Sequence, residues 1–218
     1  MSRLYDLIVF DWDGTLLDSP RAIVACIQAA CRDLGIEPPD DHRARHVIGL
    51  GLHDALSTAL PQLAPSEYFR VAERYRHHFL SIDEQLNLFA GASELIEKLH
   101  AYGLLLGVAT GKSRRGLERA LATSGLGEFF HGTRCADETH PIPHPAMLEE
   151  IMAELGVGAE RTLMVGDTTH DLLMARNARV DALAVSFGAH SRQSLLAEQP
   201  RICVDSFEEL DRWLTSQI

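Results

Sequence analysis

Cations are scarce in this chain. Only two of its 218 residues are lysine, Lys98 and Lys112, and Lys plus Arg total 20 against 31 Asp plus Glu. The formal net charge of −11 argues against a nucleic-acid backbone or an anionic membrane as partner. Cysteine is scarce too. Cys26, Cys31, Cys135 and Cys203 show no CxxC pair and no metal-ligand spacing, so they point to neither a disulfide framework nor a zinc site. All sit among apolar neighbours, which fits free, buried thiols in a reducing compartment. Long apolar runs are missing. The one near the N-terminus is too short for a signal-peptide core with its cleavage site, and none approaches a membrane span. The expectation is a soluble, cytoplasmic protein.

What is present is an ordinary globular balance, 46% hydrophobic and 23% charged, able to bury a core. The length exceeds a typical single domain, so one large domain or a domain with an insertion is expected. Leu4 to Phe10 reads as a strand, and its apolar run 7–10 suits a sheet covered on both faces. Ser19-Pro20 reads as an N-cap with Pro at the first helical position, ahead of a helix over 21–34. From Asp40 to about Asp83 only helical patterns occur, over 42–48, 53–60 and 66–80, interrupted at Gly49-Leu50-Gly51. Strands at 104–109, 130–134, 163–165, 183–185 and 202–204 then alternate with helices at 92–101, 114–124, 145–155, 171–177 and 207–214. This alternation predicts an α/β fold with a parallel, doubly wound sheet, and the helical stretch before the second strand predicts an inserted helical domain.

The chemistry gathers at strand ends. Asp11 and Asp13 follow the first strand at i, i+2, where open α/β sheets place their ligand sites, and Gly14 then lets the chain turn sharply. Two acids so close repel unless a cation or a shared proton lies between them. A lone pair of this kind is more often an Asx turn, so the rest of the chain must decide. Thr110-Gly111 closes the strand at 104–109, where a hydroxyl and a glycine N–H can hold a phosphoryl or carboxylate oxygen; plain turn chemistry is the alternative. Gly166-Asp167-Thr168-Thr169-His170-Asp171 closes the strand at 163–165. Asp171, at a helix start, could be only a capping acid. Asp167 would face Asp11 and Asp13 if the two strands are neighbours. Three or four carboxylates and one hydroxyl on a single sheet edge describe a Mg²⁺ site, with hard oxygen ligands and room for water and phosphate.

Taken in order, Asp11-x-Asp13-Gly14-Thr15, Thr110-Gly111 and Gly166-Asp167-x-x-x-Asp171 resemble motifs one, two and four of the haloacid dehalogenase-like hydrolase superfamily. The run Phe10–Ser19 and the Gly49-Leu50-Gly51 loop look most like its phosphoglycolate phosphatase-like branch. The resemblance implies a Rossmann-like core over 1–16 and 87–218, with a small α-helical cap over 17–86. It implies a Mg²⁺-dependent phosphatase, monomeric or homodimeric, acting on a small phosphorylated metabolite such as phosphoglycolate. Asp11 would be the nucleophile that forms an aspartyl-phosphate, and Asp13 the acid and then the base. Asp11, the backbone carbonyl of Asp13, and Asp167 would hold Mg²⁺, with Asp171 a ligand or directly behind one. Thr110 and the N–H groups of Trp12, Asp13 and Gly111 would bind phosphoryl oxygens. An acid at position 13 favours phosphoryl transfer over carbon–halogen cleavage.

One motif departs from this pattern. The superfamily's third motif supplies a lysine, usually as Lys-Pro-x-Pro, that pairs with the nucleophile and the phosphate. Here Ile142 stands at that position, within Thr139-His140-Pro141-Ile142-Pro143-His144-Pro145. Lys98 cannot easily reach the site. Lys112 is the nearest substitute, with His140, His144 and Arg134 behind it, but Lys112 reads more simply as a solvated loop residue and the histidines as loop fillers. Losing one preorganised donor costs on the order of 10²–10³ in rate, so a slow enzyme is expected rather than an inert one. His42, His46, His53, His77 and His78 are expected on the cap surface, not in a metal cluster. Arg43, Arg45, Arg114 and Arg115 are expected to face water, and Arg179 occupies a place after a helix that commonly takes Gly. The competing readings are a sugar phosphomutase or pyrophosphatase, and a regulatory protein that keeps the pocket without turnover. A receiver-type module uses similar acids but is shorter and has no helical insertion.

Overall fold

The computed structural model describes residues 3–217. Six strands, β1 (Leu7–Phe10), β2 (Leu105–Thr110), β3 (Gly132–Cys135), β4 (Thr162–Gly166), β5 (Asp181–Val185) and β6 (Ile202–Val204), form one sheet in the order β3-β2-β1-β4-β5-β6. All neighbouring pairs are parallel. The chain runs outward from β1 to β3, then crosses back to place β4 on the other side of β1. The C-terminal end of β1 is therefore the point where strand order reverses, and open sheets bind ligands there.

After β1 the chain first forms four helices, α1 (Pro20–Asp33), α2 (Asp41–His46), α3 (Leu52–Ala59) and α4 (Tyr68–Leu80). They bury a cluster of their own, including Ile23, Ile27, Val47, Leu56, Val71 and Phe79, to which Ala189 is joined from the rest of the molecule. The sequence expectation that Ser19 caps α1 is not met. Ser19 precedes α1 but makes no side-chain cap bond, because its hydroxyl is used elsewhere. The helix expected from Ser66 starts at Tyr68; the Glu67 carboxylate accepts the Ala64 N–H instead.

After β2 come α6 (Arg114–Ser124), α7 (Ala146–Leu155), α8 (Thr169–Asn177), α9 (Arg192–Ala197) and α10 (Phe207–Ser216), with α5 (Ala92–Ala101) just before it. Successive strand residues point to opposite faces, so the sheet needs two covering layers. Ile8, Phe10, Val108 and Val165 pack with α5, α6 and α10; Leu7, Val9, Ala109 and Met164 pack with α7 and α8. β1 begins at Leu7 rather than Leu4, whose amide donates to the Gln217 carbonyl at 2.9 Å. Arg179, just past α8, sits at φ +59°, the left-handed region that glycine adopts more readily. The four cysteines are buried and unpaired. Among the described residues no helix is long and apolar enough to cross a membrane.

Candidate active site

The β1–β4 ladder continues one residue past the strand, with the Asp11 N–H donating to the Val165 carbonyl at 2.9 Å. The next turn is wound around the Trp12 carbonyl, which accepts from the amides of Thr15, Leu16 and Leu17. Gly14 is required here: its φ is +89°, and a Cβ would collide with the Asp167 carboxylate. This turn brings Asp11 against the end of β4. Carboxylate oxygens of Asp11, Asp167 and Asp171 lie within 4.8 Å of one another, and all three residues are buried.

Two of the three acids are held by neighbours. Asp167 accepts from the Thr15 hydroxyl at 3.0 Å and the Ala189 N–H at 2.6 Å. Asp171 is both things the sequence allowed. One of its oxygens accepts from the Thr168 N–H (3.0 Å) and hydroxyl (2.7 Å), closing a capping box on α8, while the other is buried without a protein partner. Both Asp11 oxygens are also buried and unpartnered. Burial, reinforced by the charges of Asp171, Asp167 and Asp13, holds the Asp11 carboxyl far above the usual carboxylate range. Burial and Asp171 push Asp167 up to about 8, and burial raises Asp171 to about 6.

Asp13 stands outside that trio. Its carboxylate accepts from the Ser19 hydroxyl at 2.7 Å and pairs with Lys112 Nζ at 2.9 Å. Lys112 is therefore not the solvated residue expected from the sequence. Its side chain is only 8% exposed, and Nζ also lies 4.8 Å from the Phe79 ring centroid. Ile142 is 2% exposed and packs among the apolar residues under the sheet. Arg134 is committed to Glu150 and Glu154, and His144 accepts the Ala146 N–H, so neither is a free cation for the site. Lys98 pairs with Asp211.

Thr110 is buried at the end of β2, and its hydroxyl accepts the Lys112 N–H at 3.3 Å. A Cβ on Gly111 would strike the carbonyls of Gly49 and Leu50, so the helical insertion rests directly on this glycine. The Trp12 indole is core, edge-on to Phe130 with centroids 6.2 Å apart, which leaves only its backbone for the site. A cavity of about 740 Å³ opens on Asp11, Asp13, Thr110 and Lys112 and is walled by α1 and α4. Arg115 lines it, although the sequence suggested only solvent; Arg114 is tied to Glu138 and Thr133.

Sequence reasoning missed three contributors. Ser19 looked like a helix cap. Gly188 lies in the loop after β5, where a Cβ would collide with the Asp167 carboxylate, and no motif marks it. His46 is exposed on the insertion as expected, but its contacts were not foreseen: its ring stacks on His190 (5.3 Å, 12°) and its carbonyl accepts from His170 Nε2 at 2.7 Å and His190 Nε2 at 3.2 Å. The three imidazoles are close enough to suggest a metal site. However, His190 Nδ1 accepts the Thr169 N–H, so both its nitrogens are already employed, and the group ties α2 to the start of α8 and to the loop after β5.

A family model described as haloacid dehalogenase-like hydrolase matches residues 8–185, which include all four acids. The chain belongs to that family. This hydrolase is 40% identical over 212 residues to a Dickeya dadantii protein named "probable phosphatase IndB", covering 94% of this chain and 91% of that one. It is 30% identical to the pyrophosphatase PpaX of Bacillus cereus, with 93% of each covered. It is also 30% identical to a phosphoglycolate phosphatase of Synechococcus elongatus, covering 88% and 89%. A hydrolase structure from Pseudomonas syringae matches with a TM-score of 0.87 at 21% identity over 99% of both chains. A haloacid dehalogenase-like hydrolase from Streptococcus pneumoniae matches at 0.81 and 24% identity, over 96% and 98%. These structures show the shared fold. The chain is an enzyme, a phosphatase of this family.

Such phosphatases generally use a divalent metal, and these residues fit one. Three buried carboxylates converge, three of their oxygens have no protein partner, and the donors are all hard oxygens.

Proposed function

We propose that this phosphatase hydrolyses a small phosphomonoester with Mg²⁺ as cofactor, through a phosphorylated Asp11. The observation that carries the reading is the state of Asp11, buried at the switch point of the sheet with both oxygens free of protein partners. A carboxylate committed to structure would be hydrogen-bonded. Asp11, Asp167 and Asp171 would hold the ion, together with the carbonyl of Asp13. Bound there, it would neutralise the repulsion between carboxylate and phosphate, the main obstacle to attack of one anion on another.

The chain's own residues supply the rest. An Asp11 oxygen bonds to phosphorus as the ester oxygen leaves, and the Asp13 carboxyl gives that oxygen its proton. Ser19 and Lys112 fix the Asp13 carboxylate in place for this transfer. Asp13 then takes a proton from a water that attacks phosphorus, releasing phosphate and restoring Asp11. Thr110 and the amide of Gly111 would receive phosphoryl oxygens, and the helical insertion over the sheet edge would act as a cap that excludes bulk water.

The test is Mg²⁺-dependent phosphate release from generic esters, phosphoglycolate and pyrophosphate, for this chain and Ile142→Lys side by side. The expected result is slow turnover that rises by about 10²–10³ with the lysine. If both proteins bind Mg²⁺ yet release no phosphate from any ester, the catalytic reading fails.

A further inference from the structure

We propose that the chamber over Asp11 selects a phosphomonoester whose alcohol carries a flat, apolar ring, in preference to a two-carbon acid such as phosphoglycolate. This rests on the phosphatase reading above and names the substrate class of the same site. The cavity of about 740 Å³ falls in the range of about 300–1,000 Å³ that encloses drug-sized ligands, far more space than a two-carbon ester fills.

The chemistry of its walls agrees with its size. Leading away from the acids are Ile23 and Ile27 on α1, Leu52 on α3, and Tyr75 and Phe79 on α4. The last two stack with centroids 5.8 Å apart at 22°, forming an aromatic wall. A short substrate would press its carboxylate against this wall close to the phosphoryl group, and an unpaired buried charge there is costly. Two of the cations that line the cavity are already paired. Lys112 is taken by Asp13 and Arg119 by Asp83, while Arg76 and Arg115 line the cavity as exposed residues. An aromatic ring in the same place gains apolar burial and stacking. The Tyr75 hydroxyl makes no hydrogen bond among the described residues and, kept protonated by burial, is available to a polar substituent on the ring.

Two readouts separate this proposal from the phosphatase reading. Benzyl phosphate, ethyl phosphate and phosphoglycolate have unactivated alkyl leaving groups, so their kcat/KM values compare recognition. Benzylphosphonate and phosphonoacetate are not hydrolysed, and their thermal stabilisation of the Mg²⁺-loaded protein compares binding alone. The expected result is kcat/KM at least tenfold higher for benzyl phosphate than for phosphoglycolate, with benzylphosphonate the better stabiliser. Tyr75→Ala should shrink both differences, whatever it does to absolute rates. Equal or better use of phosphoglycolate, together with phosphonoacetate binding as well as benzylphosphonate, would overturn the chamber proposal and leave the phosphatase reading standing. A retained benzylphosphonate preference with no ester hydrolysed would uphold the chamber and overturn the phosphatase reading.

Discussion

Lys112 is the cation that the structure places beside Asp13, while position 142, where the resemblance leads one to expect a lysine, holds Ile. It reaches Asp13 rather than Asp11, so its work would be to fix the acid–base residue. Lys112→Met should lower kcat by about 10² with little change in KM, since only the transition state uses that positioning. Steady-state kinetics on benzyl phosphate checks it; an unchanged kcat would return Lys112 to the role of an ordinary loop residue. The acids themselves were legible because each follows an abrupt end to an apolar run. Lys112 was not, because a lysine two residues past a strand is solvated far more often than buried, and only the position of α4 above it decides the matter. Ser19 was hidden for a related reason. Its sequence setting before Pro20 suits a cap, and the competing acceptor, Asp13, is visible only once the turn at Gly14 is built.

The elements show how the insertion is seated. The loop at 49–51 lies on Gly111, and the His46 carbonyl at the end of α2 accepts two imidazole N–H groups from His170 and His190. Gly111→Ala should push that loop away by the width of a methyl group. A displacement of about 1 Å can cost 10²-fold in rate, so kcat/KM should fall by about that factor while the far-UV spectrum is kept. Wild-type activity in the variant would show that contact to be incidental. Strand and helix existence was legible from alternating apolar runs, and α5 and α6 begin and end where the pattern places them. Strand edges were not. β1 begins late because residues before Leu7 pair with the C-terminal segment and with Arg161, which no local pattern reveals. α9 was unread because its six residues bury only Leu195.

Across the whole molecule, the cluster of buried acids sets a pH dependence. Asp167 titrates near 8 in the folded protein against 3.8 ordinarily, so above pH 4 the folded state holds a proton that the unfolded chain has lost. Stability from this group is complete below about pH 4 and declines as pH rises to about 8. His190, lowered to about 4 by burial and by its histidine neighbours, acts in the opposite sense below pH 6.5. Between about pH 6.5 and 8 the carboxylate effect remains, and the metal-free protein should lose thermal stability there. Adding Mg²⁺ should restore it, more so at pH 8 than at 6.5, because an ion bound to the folded state favours ionised ligands. Melting curves in chelator and in Mg²⁺ test both signs; a metal-free protein that grows more stable over that window would contradict them. At this scale the sequence was most informative. The sheet order, with β1 between β2 and β4, is what turns acids 156 positions apart into neighbours (Asp11 and Asp167, 167 − 11).

The central claim is that Asp11 accepts the phosphoryl group, and one comparison tests it most directly. Phosphate release from benzyl phosphate in saturating Mg²⁺ should fall by at least about 10³ in Asp11→Asn, which keeps the shape and removes the nucleophile. The same variant should melt higher than the parent in chelator at neutral pH, since it removes a buried acid that the folded state must keep protonated where the unfolded chain ionises. Release that persists in Asp11→Asn within a few-fold of the parent would contradict the account.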